Sequence, residues 1–355
     1  MSKIFYAAST ASHLTAFHEP YINALRSEGH TVMTAASGDG VDFSLPLDKR
    51  MLSLKNLRAA LSLRRIIKKE KFDLLILNTS LMAFWTRLAL GKSRPRVVNV
   101  VHGYLFPEKP VGLKAKVRAA ILLAAERMLK KRTDAILTMN AEDFRIANRY
   151  SLAESIANTL GMGIPRLEVA NRRDEIRREH GCENKLVLLF VGELSKRKDQ
   201  SFLIEALPKI KDRGIDVSLW LVGDGNELSA LKKQAKRLGC EGDVIFFGSR
   251  RDARDIMAAS DVYVSSSKSE GLPFNIVEAL MAGCKVVASD VKGHRDVLAD
   301  GAGALYAPTD EEAFVSLVLD KDSRLEDKAL LAVDKFSLES VFDGTMASLR
   351  EAGKI

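Results

Sequence analysis

Glu270 and Glu278 stand eight residues apart around a loop-to-helix passage, Glu270-Gly271-Leu272-Pro273-Phe274-Asn275, which runs into a helix carrying Glu278. Gly271 lets the backbone approach a ligand or take a positive φ. Pro273 suits the first turn of a helix, where its missing N–H costs nothing. The N–H groups of that turn, with the helix dipole behind them, attract an anion such as phosphate. One carboxylate on a loop and one inside a helix mouth can flank a ligand that is anionic in one part and rich in hydroxyls in another. Most glutamates are simply solvated, so the order of residues around this pair gives it its weight.

A second group of residues follows another apolar stretch. Val191–Gln200, VGELSKRKDQ, places Gly192 at a strand end and Arg197 and Lys198 a few residues on. Lys198 can meet a diphosphate as a point charge. Val222–Asn226 reads as a strand-to-helix turn with a Gly-x-Gly but no third glycine. Arg250 lies in Phe247–Asp252, behind a further strand. In the first half of the chain His102 closes a strand, His13 and His18 lie within Ser9–His18, and Asn140 lies within Asp134–Phe144.

The elements that must position these groups alternate between strand and helix. The first half reads as strands at Lys3–Ala8, Thr31–Ala36, Asp73–Leu77, Val97–Val101 and Ala135–Met139. Helices lie between them, from about His13 to Gly29, at Leu57–Glu70, Met82–Leu90 and near Lys114–Lys131. A second series has strands at Leu186–Val191, Val217–Val222, Val244–Phe247, Asp261–Val264 and Lys285–Ser289, and an amphipathic helix near Leu338–Glu351 follows it. This alternation argues for parallel sheets covered by helices on both faces, and open sheets of this kind bind ligands at their carboxyl edge. Asn158–Asp174 breaks the pattern with Gly-Met-Gly-Ile-Pro and is expected to be the linker, giving domains 1–165 and 166–337.

A chain of 355 residues is long enough for two such domains, each with a full core. Its 46% hydrophobic and 28% charged content is that of a globular protein. The three cysteines, Cys182, Cys240 and Cys284, are far apart and in no metal-ligand spacing, which points to a reducing compartment. The start lacks a signal peptide's apolar core, and no apolar run approaches the ~18 residues of a membrane span. A cytoplasmic location is expected.

Charge is uneven. Residues 1–170 hold 26 Lys and Arg against 14 Asp and Glu, and residues 171–355 hold 28 against 32. A basic half suits nucleic acid, anionic lipid or a phosphorylated substrate. Few aromatics accompany the cations and no zinc-finger or RNA-binding signature is present, so no nucleic acid is expected. Arg64, Lys68 and Lys71 share a helix face near Leu57, Leu61, Ile66 and Ile67. With Lys114, Lys116 and Arg118 they suggest peripheral attachment to an anionic membrane surface, on its inner face.

The Glu-Gly-Leu-Pro passage, the second Glu after seven intervening residues, and the following Ala-Gly-Cys-Lys-Val-Val-Ala resemble the E-x7-E segment of retaining glycosyltransferases of the GT-B type. That family includes bacterial mannosyltransferases and capsular and exopolysaccharide glycosyltransferases. The resemblance spreads over nearly the whole chain. It implies an α/β fold of two Rossmann-like domains facing a central cleft, the first binding the acceptor and the second the nucleotide-sugar, with residues 338–355 crossing back to the first. Lys198 matches the lysine of the family's Gly-Arg-Leu-x-x-x-Lys-Gly motif, which holds the donor diphosphate. Glu193 stands where that motif has Arg, so Arg197 and the helix beginning near Phe274 must supply part of the positive charge. The family's backbone contacts the base near Arg250.

By the same resemblance Gly192, Gly271, Leu272, Pro273, Phe274 and Asn275 line the donor, Glu278 holds the ribose and Glu270 the sugar hydroxyls. His102 matches a histidine set near the transferred sugar. The segments around His102 and Asn140 look like those of capsular-polysaccharide transferases, and His13, His18 and Asn140 are candidate acceptor contacts. The implied activity is retaining transfer of a hexose or N-acetylhexosamine from a nucleotide-diphospho-sugar, a UDP-sugar, to a saccharide acceptor. That acceptor would be carried on polyprenyl diphosphate, in capsular, exopolysaccharide or O-antigen synthesis.

Two other readings share these residues: a nucleotide-sugar epimerase, and a non-catalytic member acting as a partner subunit. The one Asp-x-Asp, Asp320-Lys321-Asp322, lies outside the expected sheet edges, and no His/Cys grouping has the spacing of a catalytic zinc site. No essential metal and no cofactor are expected.

Overall fold

The computed structural model describes the chain apart from residues 49, 92–93, 167–171 and 321–325. The apolar runs of the first half form β1 (Lys3–Thr10), β2 (Thr31–Ser37), β3 (Phe43–Ser44), β4 (Leu74–Asn78), β5 (Arg96–Val101), β6 (Ala135–Thr138) and β7 (Ser155–Asn158). Those of the second half form β8 (Leu186–Val191), β9 (Val217–Val222), β10 (Val244–Gly248), β11 (Val262–Ser265), β12 (Lys285–Ser289) and β13 (Ala304–Tyr306). Leu74, Leu75, Ile76 and Leu77 are all buried, as are Val187, Leu188, Leu189 and Phe190. Helices cover both faces of each sheet, which is why these strands read as continuous apolar runs rather than alternating ones.

The seven-stranded sheet has the order β3-β2-β1-β4-β5-β6-β7 and the six-stranded sheet β10-β9-β8-β11-β12-β13, with every ladder parallel. Each is a Rossmann-like doubly wound sheet. In each, the order reverses at one place, β1 beside β4 and β8 beside β11, and a crevice opens there at the carboxyl ends of the strands.

Met1–Gly163 together with Leu338–Ile355 form one compact unit, and Ile164–Ser337 form the other. The last helix, Leu338–Gly353, is part of the first unit. Arg96 Nε donates to Ala352 O at 2.6 Å, Thr345 Oγ1 to Gly161 O at 3.0 Å, and Arg350 pairs with Glu28.

The strands missing from the sequence reading, β3, β7 and β13, are edge or near-edge pieces of two to four residues, too short to show a period. The single helix expected from His13 to Gly29 is two, Ala11–Phe17 and Glu19–Ser27, with His18 between them. Pro20 accounts for the break, because it lacks the N–H a continuous helix would need there and is tolerated only in the first turn of the second helix. Part of the expected linker, and Lys321 and Asp322 of the Asp-x-Asp, lie outside the described residues. Among the described residues no helix is long and apolar enough to cross a membrane.

Candidate functional site

In the second unit the residues singled out by sequence gather at the reversal point between β8 and β11. β8 ends at Val191, whose carbonyl accepts from Asn275 Nδ2 at 2.8 Å and Tyr263 Oη at 3.2 Å. Asn275, expected on the donor, thus ties the start of the helix Phe274–Met281 to the β8 edge. Gly192 follows, and the turn after β9 is laid against it. A Cβ on Gly223 would meet Gly192 O at 2.0 Å, and Gly223 has φ +135°, so this position admits no side chain. The Gly-x-Gly therefore serves a close backbone crossing.

Lys198 lies just before the helix Gln200–Asp212, and its Nζ donates to Glu270 Oε1 at 2.6 Å. Arg197 Nη1 donates to Glu270 Oε2 at 3.1 Å and to Ser269 O at 2.8 Å. Lys198 and Glu270 are each only 8% exposed. Burial pushes the Glu270 carboxyl up, but the charges of Lys198 and Arg197 and their hydrogen bonds outweigh it and hold its pKa at about 2. Ser266 Oγ donates to the carbonyls of Lys198 and Asp199, which locks the two loops together. The result is a fixed cluster of two cations and one carboxylate at the mouth of the crevice.

The helix Phe274–Met281 starts from Pro273 with no side chain capping it. Pro273 is the residue before the first helical one rather than within the turn. Leu272 and Phe274 pack against the core beneath. Glu278 lies one turn in, 3.4 Å from Arg254 Nη2, and burial raises its pKa despite that arginine. Glu193 is exposed on the loop, its carbonyl held by Gln200 Nε2. Arg250 is also exposed and forms a bidentate pair with Asp252, so its guanidinium is engaged locally and not with Glu270.

Sequence reading missed the loop after β12. His294 is fully buried, with Nδ1 2.7 Å from Ser289 O and Nε2 3.3 Å from Ser265 Oγ. Burial depresses its pKa to about 4, against the opposing pull of Glu270. Gly293 has φ +79°, and a Cβ there would strike Gly271 O at 2.3 Å, so this loop backs the Glu270-Gly271 turn. The signal was Ser-Asp-Val-Lys-Gly-His at the carboxyl end of a strand.

In the first unit the reversal point gathers three histidines. His13 comes from the short helix after β1, His18 from the break that follows, and His102 from the end of β5. The ring centroids are 4.8 Å apart for His13 and His102, 5.1 Å for His13 and His18, and 5.2 Å for His18 and His102. Tyr6 Oη lies 2.9 Å from His18 Nδ1, and Asn78 Oδ1 lies 3.4 Å from His102 Nε2. Burial depresses all three pKa values, that of His13 to about 4, so the rings are neutral near pH 7. No spacing in the sequence shows this grouping, because residues 13, 18 and 102 meet only where β1 and β5 flank β4 at the carboxyl edge of the sheet.

Thr79, at the end of β4, has φ +67°, an uncommon value for a β-branched residue. Ser9 N and Oγ hold its hydroxyl at 3.0 and 2.5 Å. Asn140, expected at the acceptor, is buried and caps the helix Ala141–Arg149. Its Oδ1 accepts from Asp143 N at 2.8 Å and its Nδ2 donates to Asp143 Oδ2 at 2.7 Å. The geometry gives it a structural role.

Residues 18–156 match the family described as Glycosyltransferase Family 4, and residues 172–321 match Glycosyl transferases group 1. The chain is 29% identical over 328 residues to EpsD of Bacillus subtilis (strain 168), which is named a glycosyltransferase with no reaction stated. That match covers 88% of this chain and 85% of EpsD. It is 25% identical over 313 residues to the UDP-Gal:alpha-D-GlcNAc-diphosphoundecaprenol alpha-1,3-galactosyltransferase of Escherichia coli, covering 85% of this chain and 79% of that one. Among solved structures, Anabaena HepE in complex with UDP and glucose superposes with a TM-score of 0.78 at 20% identity, over 99% of this chain and 100% of HepE.

Proposed function

Because the chain is a GT-B type glycosyltransferase, we propose that it transfers a hexose or N-acetylhexosamine from a UDP-sugar, with retention of configuration, to a saccharide on polyprenyl diphosphate. The product would serve capsular, exopolysaccharide or O-antigen assembly. The observation that carries the donor half is the Lys198–Glu270–Arg197 cluster at the crevice between β8 and β11, its lysine and glutamate buried and its arginine exposed. The E. coli relative, named for a UDP-galactose donor and a diphosphoundecaprenol-linked acceptor, supports the choice of substrates.

Leaving-group charge develops on the diphosphate as the anomeric carbon becomes oxocarbenium-like. Preorganised cations are the main device for stabilising it. The diphosphate competes with Glu270 for Lys198 and Arg197, and the first turn of the helix Phe274–Met281 adds its dipole. Glu270, released from one cation, turns to the sugar hydroxyls. Glu278 accepts from the ribose, and His102 hydrogen-bonds the sugar as a neutral imidazole. The acceptor hydroxyl attacks from the face the diphosphate leaves and gives its proton to the departing phosphate oxygen as the anomeric C–O bond breaks, unlike the two-carboxylate arrangement of glycosidases. No metal is assigned to this step.

The acceptor's lipid carrier suggests a site on the inner face of a membrane, where the protein attaches peripherally. The expected face on the helix Leu54–Glu70 is only partly available: Leu63 and Ile67 are buried, and Leu57 and Leu61 are half exposed. The helix Leu113–Leu129 offers more. Leu113, Val117 and Ile121, at i, i+4 and i+8, are 78%, 52% and 65% exposed, and they line one recess with Lys114 and Arg118. An apolar stripe edged by cations suits an anionic bilayer.

Radiolabelled sugar transfer from a panel of UDP-sugars, with and without a polyprenyl-diphosphate-linked acceptor, tests the proposal. Transfer that requires the acceptor is expected. Rearranged UDP-sugar without acceptor would instead reveal an epimerase.

A further inference from the structure

We propose that His13, His18 and His102 form a binding site for a zinc ion in the first unit. One ring nitrogen from each of the three lies within 4.8 Å of the others. A tetrahedral zinc held at about 2.0–2.1 Å from imidazole nitrogens sets those nitrogens roughly 3.4 Å apart. Small side-chain rotations therefore bring them together.

Two of the three ring nitrogens that such rotations would use are already without a partner. His13 Nε2 and His18 Nε2 are buried and make no hydrogen bond, and an unsatisfied buried polar atom calls for an explanation. The bond that His102 Nε2 makes to Asn78 Oδ1 is long at 3.4 Å and gives way easily. Among the described residues no carboxylate or thiol joins the three histidines, so the donor set is three neutral imidazoles, which suits zinc rather than magnesium or calcium.

The surroundings behave as an outer shell. Tyr6 Oη holds His18 Nδ1 at 2.9 Å and so fixes the ring with Nε2 facing the cluster. Three protein ligands leave a fourth position open, the pattern of a zinc site that admits an exchangeable oxygen ligand. His102 has two ring nitrogens, so holding the ion with one leaves the other for the sugar contact proposed above.

The test is metal binding itself, which does not depend on transferase activity. Full-length protein, stripped with chelator and dialysed, is titrated with zinc in competition with a chromophoric chelator. Cobalt is used in parallel for its visible absorption. One equivalent per chain is expected, with a tetrahedral cobalt spectrum. His13→Ala and His18→Ala should each weaken zinc binding more than tenfold, and Tyr6→Phe by about tenfold through the lost orienting contact. Tyr6→Phe, which keeps the ring, and circular dichroism of each variant separate loss of the site from loss of the fold. Wild-type protein that takes up no stoichiometric zinc, or folded variants that bind it as tightly as wild type, would overturn the proposal.

Discussion

Lys198 Nζ lies 2.6 Å from Glu270 Oε1, although the two residues are 72 positions apart and both are buried. The contact joins two loops, and in the mechanism proposed above it also holds a cation ready for the donor diphosphate.

Removing one partner separates these roles. Lys198→Ala should lower activity by about two orders of magnitude, equivalent to an electrostatic transition-state contact worth ~3 kcal/mol. It should also lower the melting temperature, since buried Glu270 would keep only the exposed Arg197 as a charged partner, and breaking a buried pair costs up to about 3–5 kcal/mol. The pair Lys198→Met with Glu270→Gln should recover most of the stability and none of the activity. Thermal melts and initial rates on the same preparations check both.

The two glutamates should differ in kinetics. Glu270→Ala is expected chiefly to lower kcat, and Glu278→Ala chiefly to weaken nucleotide-sugar binding, because the loop carboxylate is assigned to the sugar and the helix carboxylate to the ribose. If both variants kept wild-type kcat and KM, neither residue would belong to the site.

Glu193 is exposed on the loop that follows Gly192. Glu193→Arg should tighten UDP binding by up to about fivefold, the scale of an exposed ion pair. Calorimetry showing unchanged affinity would mean that position 193 points away from the diphosphate.

How much of this was legible in sequence depends on how far apart the interacting residues lie. The long strands showed as uninterrupted apolar runs, and the order Glu270-Gly271-Leu272-Pro273 marked the loop that meets Lys198 and Arg197, because both signals are local. The Lys198–Glu270 contact, the three-histidine cluster and His294 behind Gly293 depend on which strands are neighbours, and no spacing reports that. Asn140 was misread for a related reason. An asparagine at a strand end faces either a ligand or the next helix, and Asp143, three residues on, was the sign that it caps.

Stability should fall in acid through the buried histidines of the first unit, whose pKa values burial lowers, and through two groups of the second. Glu270 is held at about 2, below an unfolded glutamate at about 4.3, so its contribution is complete above the unfolded value and is lost as pH falls towards the folded one. His294, held at about 4 against about 6.5 unfolded, has the same sign, since the unfolded chain takes up the proton first. Glu278, raised by burial, works in the opposite direction. Melting temperature should therefore hold above about pH 6.5 and decline below it. His294→Asn should flatten the first part of that decline. Thermal melts across pH decide.

Membrane attachment should require anionic lipid and weaken with salt. Liposome co-sedimentation of Val117→Glu with Ile121→Glu should show reduced binding, and Lys114→Glu with Arg118→Glu the same. Lys68, Lys69 and Lys71 changed to Glu should have a smaller effect, since the helix that carries them buries much of its apolar face. Binding that is indifferent to salt, or absent from anionic vesicles, would remove the membrane from the account.

The central claim is retaining transfer from a UDP-sugar, and the configuration of the new bond tests it most directly. The protein would be incubated with the UDP-sugar it accepts and a polyprenyl-diphosphate-linked saccharide, and the product's anomeric proton read by NMR. The account predicts an α linkage from an α-linked donor, with release of one UDP per sugar transferred. A β linkage, or UDP-sugar consumed with no glycosylated acceptor, would contradict it.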